Sequence, residues 1–385
     1  MALQNVQLRE IVEYVIDHRG KTPLKLGGSW TEFATNHPVL SAKNIKTGRI
    51  ISKESIRFVD EDLYKLWMQT ELKIGDILVT SEAPFGQLYY WDLEEKAVLG
   101  QRLFGLHVRE EVNSKFLYYY MQTPKFQREL ESRATGTTVL GLRQPELLKC
   151  TVALPSRREQ DKCAEILGQI DKKIRVNESV NDNLQLLAQT IYQAMFIDEA
   201  QSKVYQATLK DLAEITMGQS PNGKSYNTEG KGTVFYQGRA DFGKRFPAPR
   251  LFTTEPKRIA EKGDILLSVR APVGDLNIAY ESCCIGRGLG AIRSKTEHHS
   301  FLFYTMLSLR SQFEVYNSEG TVFGSINKKE LCDISINIPS TRDLENFECI
   351  VRPIDNLIYL NFEENRRLQH LRDNLLKRLL NGNCS

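Results

Sequence analysis

The sequence predicts an α+β protein in which two strand-rich, mixed α/β globular modules, related by a pseudo-twofold axis, are separated by two long antiparallel coiled-coil helices. Three observations predict this fold. A set of motifs occurs twice in the same order, each copy ends in a strand closed by proline, and each proline precedes a long stretch of helical periodicity. The 385 residues also exceed the usual size of a single core. We place the boundaries at 1–156, 157–200, 201–340 and 341–385, for module, helix, module and helix.

The composition is that of an ordinary soluble protein, with 41% hydrophobic and 26% charged residues. No apolar run approaches the roughly 20 residues that span a bilayer, and the N-terminus has no secretory pattern, so we expect a cytoplasmic protein without a membrane partner. The seven cysteines form no CxxC pair, which predicts reduced thiols and no metal site. A net charge of +3 is too small to indicate a polyanionic partner by itself.

The duplication is visible in the motifs GDIL and AP-x-G, which the segments 72–86 and 259–274 share in order and spacing. Pro339 follows Pro155 by 184 residues (339 − 155), and Gly320 follows Gly136 by the same interval (320 − 136). A constant interval indicates collinear duplication. We interpret the shared motifs as structural, because glycine suits tight turns and the apolar run suits a buried strand.

Beyond each proline the apolar residues alternate spacings of three and four, as a coiled-coil seam requires. A helix of roughly 40 residues is a rod of about 60 Å, long enough to be a spacer. An asparagine at the same position of both seams predicts an amide pair that sets the register. Pro353 predicts that the second helix kinks or restarts there. The predicted seam positions are Ile166, Ile170, Asn177, Val180, Leu184, Leu187 and Ile191, then Ile350, Ile354, Leu357, Asn361, Leu368, Leu371 and Leu375.

One motif suggests an enzyme. Residues 218–225 match GxxxxGK[ST], the phosphate-binding loop of NTPases, with Lys224 as its lysine. Such a loop must open a helix, whereas the residues that follow, YNTEGKGT, are typical of a turn. The sequence shows no amino-methyltransferase or nuclease motif and no catalytic residue set. We therefore predict a chain without catalytic residues, and a P-loop NTPase is the less favoured alternative.

Basic and polar residues on predicted turns are placed in parallel in the two modules. Arg, Lys, Asn, Ser and Thr on loops suit phosphate contacts and the reading of base edges in a major groove. The candidate DNA contacts are Lys43, Asn44, Lys46, Arg49, Arg102, Thr137, Thr138 and Arg143 in the first module, and Arg239, Lys244, Arg245, Arg270, Arg287, Thr321, Ser325 and Lys328 in the second.

Together these features resemble the DNA-specificity subunit of type I restriction-modification enzymes over nearly the whole chain. The resemblance is carried by the duplicated GDIL, by the run GTTVLGLRQPELLKCTVALPSRREQ at 136–160, and by its weaker second version GTVFGSINKKELCDISINIPSTRDLEN. The second copy lacks the Glu-Gln pair that ends the first run.

The resemblance implies that each module is a target recognition domain for one half of a split, asymmetric site in double-stranded DNA. The helices would set the gap and dock two methyltransferase subunits, and two restriction subunits can join. It further implies that S-adenosylmethionine, ATP and Mg²⁺ belong to those partners, with no cofactor in this chain. The alternative from another class is a stand-alone coiled-coil DNA-binding or adaptor protein.

Overall fold

The computed structural model describes residues 3–136, 139–198, 205–318 and 324–379. The chain forms two compact units, the first made of 1–176 with 364–385 and the second of 177–363. Each of the two long helices therefore contributes one part to each unit. None of the helices in these described ranges has the length and apolar character needed to cross a membrane.

The first unit is built around a four-stranded antiparallel sheet, ordered β2-β10-β7-β8. Its strands are β1 (Gln4–Gln7), β2 (Val12–Asp17), β3 (Pro38–Leu40), β4 (Ile45–Lys46), β5 (Arg49–Ile50), β6 (Arg57–Phe58), β7 (Ile77–Thr80), β8 (Leu88–Tyr90), β9 (Val98–Leu99), β10 (Leu103–Val108) and β11 (Thr151–Leu154). Its helices are α1 (Leu8–Ile11), α2 (Glu61–Trp67), α3 (Ser114–Met121), α4 (Pro124–Ser132), α5 (Gln144–Leu147) and the start of the long helix α6 (Arg157–Gln193). A π-helical turn, Ala194–Asp198, follows α6.

The second unit repeats this topology. Its strands are β12 (Tyr205–Thr208), β13 (Ala213–Met217), β14 (Tyr226–Asn227), β15 (Thr233–Tyr236), β16 (Phe252–Thr253), β17 (Ile259–Ala260), β18 (Ile265–Ser268), β19 (Leu276–Ile278), β20 (Cys283–Ile285), β21 (Leu289–Ser294) and β22 (Ser335–Ile338). Its helices are α7 (Leu209–Leu212), α8 (His299–Ser308), α9 (Arg310–Ser318), α10 (Lys328–Cys332) and the first part of the long helix α11 (Thr341–Leu379).

The main sheets of the two units correspond strand for strand, whereas the smaller sheets differ, with β6-β3-β9 and a separate β4-β5 pair in the first unit and β14-β16-β15-β20-β17 in the second. The second main sheet is ordered β13-β21-β18-β19, and β12 pairs with β22 as β1 pairs with β11. Each unit also has a smaller sheet that contains one parallel pair, β3 with β9 and β15 with β20. The predicted α+β fold with duplicated strand-rich modules and long helices is confirmed.

The GDIL motif forms the central strand of each main sheet and is buried on both faces. In β7, Ile77 and Val79 pack against the helical layer with Phe116, while Leu78 points into the core under the smaller sheet. Side chains alternate between faces along a strand, so a strand covered on both sides is a continuous apolar run. In β18, Ile265 and Leu267 likewise face one core, and Leu266 faces the other.

The glycine and aspartate of GDIL close the turn before this strand. Gly75 and Gly263 have φ of +100° and +92°, a region that favours glycine. Asp76 accepts a hydrogen bond from the Lys73 amide and lies 2.6 Å from His107 Nδ1 on the neighbouring strand. Its counterpart Asp264 accepts two bonds of 2.8 Å from Arg293. These contacts support the structural interpretation of the motif.

Within each unit the segments of α6 and α11 run antiparallel. In the first unit Arg372 Nη1 lies 3.1 Å from Asp171 Oδ1, and the Asn365 amide donates to the Ile174 carbonyl over 3.3 Å. In the second unit the Asn181 amide donates to the Ile358 carbonyl over 3.2 Å. Asn365 follows Asn181 by 184 residues (365 − 181), so one contact of the duplicated helix recurs in both units.

The predicted seam needs correction at alternate positions. Ile170 and Asn177 are buried, and Ile166, Leu184, Ile191, Ile354, Asn361, Leu368 and Leu375 are partly buried. The exposed members are Val180, Leu187, Ile350, Leu357 and Leu371. After Leu187, Ile350 and Leu357 the next residue along the helix is the buried one, namely Ala188, Val351 and Ile358. A heptad allows spacings of three then four, or of four then three. At these positions two adjacent residues are both apolar, so the sequence pattern fits either one as the seam residue.

Two further helix predictions are corrected. Asn361 donates its amide hydrogen bond to Asn181 over 2.8 Å, so Asn177 is not the amide that receives this bond. Helix α11 continues through Pro353 as one helix from Thr341 to Leu379, so it does not restart at the proline. An interior proline loses a backbone hydrogen bond and clashes with the preceding turn, at a cost of about 3 kcal/mol that tertiary packing of the helix offsets. Val351, close to the proline, is fully buried in the core of the second unit.

Candidate nucleic-acid interface

Four loops meet at one end of the main sheet of the first unit. Strands β2 and β7 both run antiparallel to β10, so the ends of β2 and β7 lie beside the start of β10. The Ser81 amide donates to the Arg102 carbonyl over 2.9 Å, and the Leu142 amide donates to the Ser81 carbonyl over 3.1 Å. Arg19 Nη1 donates to the Leu142 carbonyl over 3.1 Å. We call residues 18–21, 81–87, 100–102, 135–136 and 139–143 the first loop end.

The second unit has the same arrangement. The Val269 amide donates to the Gly288 carbonyl over 3.0 Å, and the Ala271 amide donates to the Gly324 carbonyl over 2.9 Å. The Arg287 amide donates to Ser220 Oγ over 3.3 Å. These bonds join the loops that follow β13 and β18 to the turn before β21 and to the segment before α10. We call residues 218–220, 269–275, 286–288 and 324–328 the second loop end.

The loop ends collect several of the predicted DNA contacts. The first contains Arg102 and Arg143, and the second contains Arg270, Arg287, Ser325 and Lys328, all exposed. Arg270 and Ser325 form a backbone bridge. Thr137, Thr138 and Thr321 lie outside the described residues.

The two loop ends differ in charge balance. In the part of the chain that the structure describes, no carboxylate lies within ion-pairing distance of Arg270 or Arg287. By contrast, Arg102 Nε lies 3.2 Å from Glu82 Oε2. Arg102 has φ of +63°, a left-handed conformation that costs a non-glycine residue about 1–2 kcal/mol. Unpaired guanidinium groups on a surface are suited to an anionic ligand.

The sequence interpretation missed two residues of the first loop end, Arg19 and Glu82. Arg19 forms an ion pair with Asp17 and stacks its guanidinium 4.1 Å from the centre of the Phe104 ring. Glu82 directly precedes the AP-x-G motif, where the second copy has Arg270. Aligning the two copies residue by residue would have found Glu82, whereas only the folded sheet brings Arg19 to this end.

The remaining candidates lie beside the loop ends. Lys46 and Arg49 pair across the β4–β5 hairpin, whose Thr47 amide donates to Gln87 Oε1 over 3.1 Å. Lys43 is exposed just before this hairpin. In the second unit Arg239 forms an ion pair with Asp275. Lys244 Nζ lies 2.6 Å from Asp182 of α6.

Two predicted DNA contacts are corrected, because their side chains are buried. Asn44 is 1% exposed, its oxygen accepting from Ser41 and its nitrogen donating to Ser52 and Ser55. Arg245 is 6% exposed and lies 2.6 Å from Asp355, with its guanidinium 4.0 Å from the centre of the Phe303 ring. Asparagine and arginine are usually exposed, so burial of these two could not be expected from residue type.

The P-loop alternative is not favoured by the local structure. Residues Gly223–Ser225 form a single 3-10 turn, and β14 follows at once, so no helix N-terminus faces this loop. The Lys224 amide donates to Asn222 Oδ1 over 3.2 Å.

The other polar groups of the described ranges also fit a structural role. No cluster of three His, Cys, Asp or Glu side chains suited to a metal is found there. Cys150, Cys163, Cys283 and Cys284 are buried free thiols. Burial raises the pKa of Cys150 and of Cys283 to about 12, which keeps both thiols protonated.

Known proteins resemble the chain over almost its full length. The family model described as type I restriction modification DNA specificity domain matches twice, at residues 2–186 and 202–370. A Methanocaldococcus jannaschii protein, named for a type I restriction enzyme MjaX specificity subunit, is 29% identical over 373 residues, which cover 90% of this chain and 87% of the relative. The type I restriction enzyme MjaIX specificity subunit of the same organism is 23% identical over 341 residues, covering 80% and 77%.

A solved structure shows the same fold. The type I restriction-modification S subunit from M. genitalium superposes with a TM-score of 0.61 at 19% identity, and the match covers 99% of this chain and 96% of that one. The family model covers both copies of the duplication, and its members are recognition subunits rather than catalysts. The chain therefore belongs to the type I restriction-modification DNA specificity family.

Proposed function

We propose that each unit reads one half of a bipartite, asymmetric DNA sequence through its loop end, and that the long helices set the gap between the halves. The observation that carries the proposal is the recurrence of one loop arrangement with different exposed side chains in the two units. Equivalent positions with unlike side chains present different hydrogen-bonding groups, so the two half-sites should differ in sequence. The separation of half-sites follows from the geometry of the protein that holds the readers.

The proposed contacts combine backbone positioning with base reading. Arginine and lysine on loops bind phosphates and so position the DNA, and a few side chains that form two hydrogen bonds each read the bases. Asn44 and Arg245 are left out because they are buried. The described residues that we propose to contact DNA are Lys43, Lys46, Arg49, Arg102, Arg143, Arg239, Lys244, Arg270, Arg287, Ser325 and Lys328.

Replacing Arg287 and Lys328 with glutamine is expected to weaken DNA binding by a similar factor on every sequence. Each phosphate contact removed should reduce the slope of log affinity against log salt by about one. Binding of the methyltransferase complex to cognate and unrelated duplexes, titrated at several salt concentrations, measures both effects.

The matched control is Lys231→Gln, an exposed lysine in an ion pair with Glu229 on the turn before β15. Its salt slope should equal that of the unmodified protein. An unchanged slope in the Arg287 and Lys328 double variant would show that the second loop end does not contact phosphates.

The partners of a type I specificity subunit are DNA and methyltransferase subunits. We propose two methyltransferase subunits for this chain and two restriction subunits in complexes that cleave DNA. S-adenosylmethionine, ATP and Mg²⁺ would be held by those partners, and methylation of adenine requires that the base be flipped out of the duplex into the methyltransferase.

Apolar residues on the outward faces of the long helices are the proposed docking surface. Exposed apolar groups that gather on one element mark protein interaction sites. The outward residues are Val176, Val180, Leu186, Leu187, Ile350, Leu357, Leu360 and Leu371.

The double variant Leu187→Glu and Leu357→Glu is expected to lose co-purification with the methyltransferase subunit. The two leucines are 49% and 43% exposed, so the free protein should keep its thermal midpoint within a few degrees. Co-expression with a tagged methyltransferase subunit, followed by size-exclusion chromatography, measures complex formation.

Asn183→Glu adds one carboxylate, of the two that the double variant adds, to an exposed polar position of α6 and serves as the control. The control variant should still form the complex. If the leucine variant formed it equally well, docking would have to involve another surface.

A further inference from the structure

The residue before the Ala-Pro of the AP-x-G motif has opposite charge in the two units. Glu82 and Arg270 occupy this place, 188 residues apart (270 − 82), the same interval that separates Gly75 from Gly263 (263 − 75). Both follow the central strand of the main sheet, and both adjoin an Ala-Pro peptide bond that is cis. Both places follow corresponding strands and are held by corresponding backbone hydrogen bonds, so the units differ here in the chemical group that they present.

In the first unit this position lies between two other loops. The preceding residue, Ser81, receives the Leu142 amide bond and donates to the Arg102 carbonyl. The Glu82 carboxylate pairs with Arg102 at 3.2 Å, with side-chain exposures of 37% for Glu82 and 52% for Arg102. A surface pair of this kind contributes little to stability. The carboxylate is therefore free to exchange part of this contact for a ligand.

In the second unit the corresponding position, Arg270, lies between the two corresponding loops. Arg270 forms a backbone bridge with Ser325, and the residue before it, Val269, donates to the Gly288 carbonyl. The described residues place no carboxylate in ion-pair contact with Arg270. An exposed guanidinium is thus presented at the second loop end.

We propose that Glu82 and Arg270 are specificity-determining residues, each reading one base edge in its own half-site; this rests on the proposed function of the loop ends. Arg270 donates two hydrogen bonds to O6 and N7 of guanine. Glu82 accepts a hydrogen bond from an exocyclic amino group, N4 of cytosine or N6 of adenine. The inverted charge is one physical reason why the two half-sites differ.

The Glu82 carboxylate distinguishes a base contact from a contact with the DNA phosphates. Phosphates repel Glu82, so it adds nothing to sequence-independent affinity, which comes from lysine and arginine. The amino groups of cytosine and adenine are donors in the major groove, and a carboxylate only accepts.

The test uses the complex of the full chain with its methyltransferase subunits and a DNA library randomised over both half-sites. Arg270→Ala should lose discrimination at one base pair of one half-site, by a factor between about 5 and 150, and the lost preference should be for guanine. Glu82→Ala should do the same at one base pair of the other half-site, where the lost preference is for cytosine or for adenine. The base that loses its preference identifies which amino group Glu82 reads.

Arg270→Lys keeps the charge but loses the bidentate geometry, so the salt slope should persist while the guanine preference falls. Glu94→Ala and Arg342→Ala, exposed positions outside both loop ends, should leave both half-sites unchanged. Thermal unfolding of each variant separates loss of fold from loss of reading.

A uniform loss of affinity without a change in base preference would overturn the inference and leave the proposed function standing, because Arg270 would then be a phosphate contact. A lost preference for thymine in either variant would also overturn it. If affinity and preference were both unchanged in the two alanine variants, the loop ends would not be the DNA interface, and both proposals would fail.

Discussion

Replacing Arg245 with alanine is expected to destabilise the second unit by about 3–5 kcal/mol, because the change leaves a partly buried carboxylate without its cation. Arg245 is held by Asp355 at 2.6 Å, donates to Tyr304 Oη over 3.2 Å and stacks on Phe303. Chemical denaturation of the isolated chain, with the unfolding of the two units resolved, measures the loss.

The neighbouring variant Lys244→Ala is the control, since the exposed Lys244 pair with Asp182 should contribute at most about 1 kcal/mol. The Arg245→Ala variant should bind DNA with the same salt slope as the unmodified protein, measured at a temperature where the variant remains folded. An unchanged unfolding free energy together with a lower salt slope would restore Arg245 as a DNA contact.

Exchanging residues 201–340 for the corresponding module of another family member is expected to replace one half of the methylated sequence completely. The other half should persist, because the first loop end is built from residues of the first unit. Sequencing of methylated adenines in cells that carry the hybrid protein shows both halves in one measurement.

The reciprocal exchange of residues 1–156 is the matched control and should alter the opposite half. The modular interpretation would be wrong if either exchange changed both halves or left both intact. A hybrid that fails to fold is recognised by its loss of co-purification with the methyltransferase subunit, and a junction moved within the helices then repeats the test.

Much of the fold followed from local patterns. GDIL is an apolar run behind a glycine turn, and a strand covered on both faces requires that pattern in any context. Because the pattern occurs twice and is followed by the same motifs in the same order, the corresponding main sheets of the two units could be expected. The parallel pairs β3 with β9 and β15 with β20 could not, because their partners are distant in the chain and carry no shared signal.

The candidate site was only partly predictable. Arg270 and Arg287 were identified from residue type on a predicted turn, and folding brings both to the second loop end. Glu82 was not predicted because lysine and arginine make most contacts with DNA phosphates, although the position of Glu82 in the repeat indicated it.

The sequence by itself determined the duplication, the central strands and the extent of the helical segments, because these depend on periodicity and turn residues that act over a few neighbouring positions. Only the tertiary structure decided which side chains of those elements are covered. Leu187 and Ala188 both fit a heptad, and contact with the opposing helix and core buries Ala188. Asn44 and Arg245 are residue types common on DNA-binding surfaces, but Asn44 is bound by Ser41, Ser52 and Ser55, and Arg245 pairs with the distant Asp355, so both are removed from solvent. Burial is a property of what packs against a residue, and that depends on the whole fold.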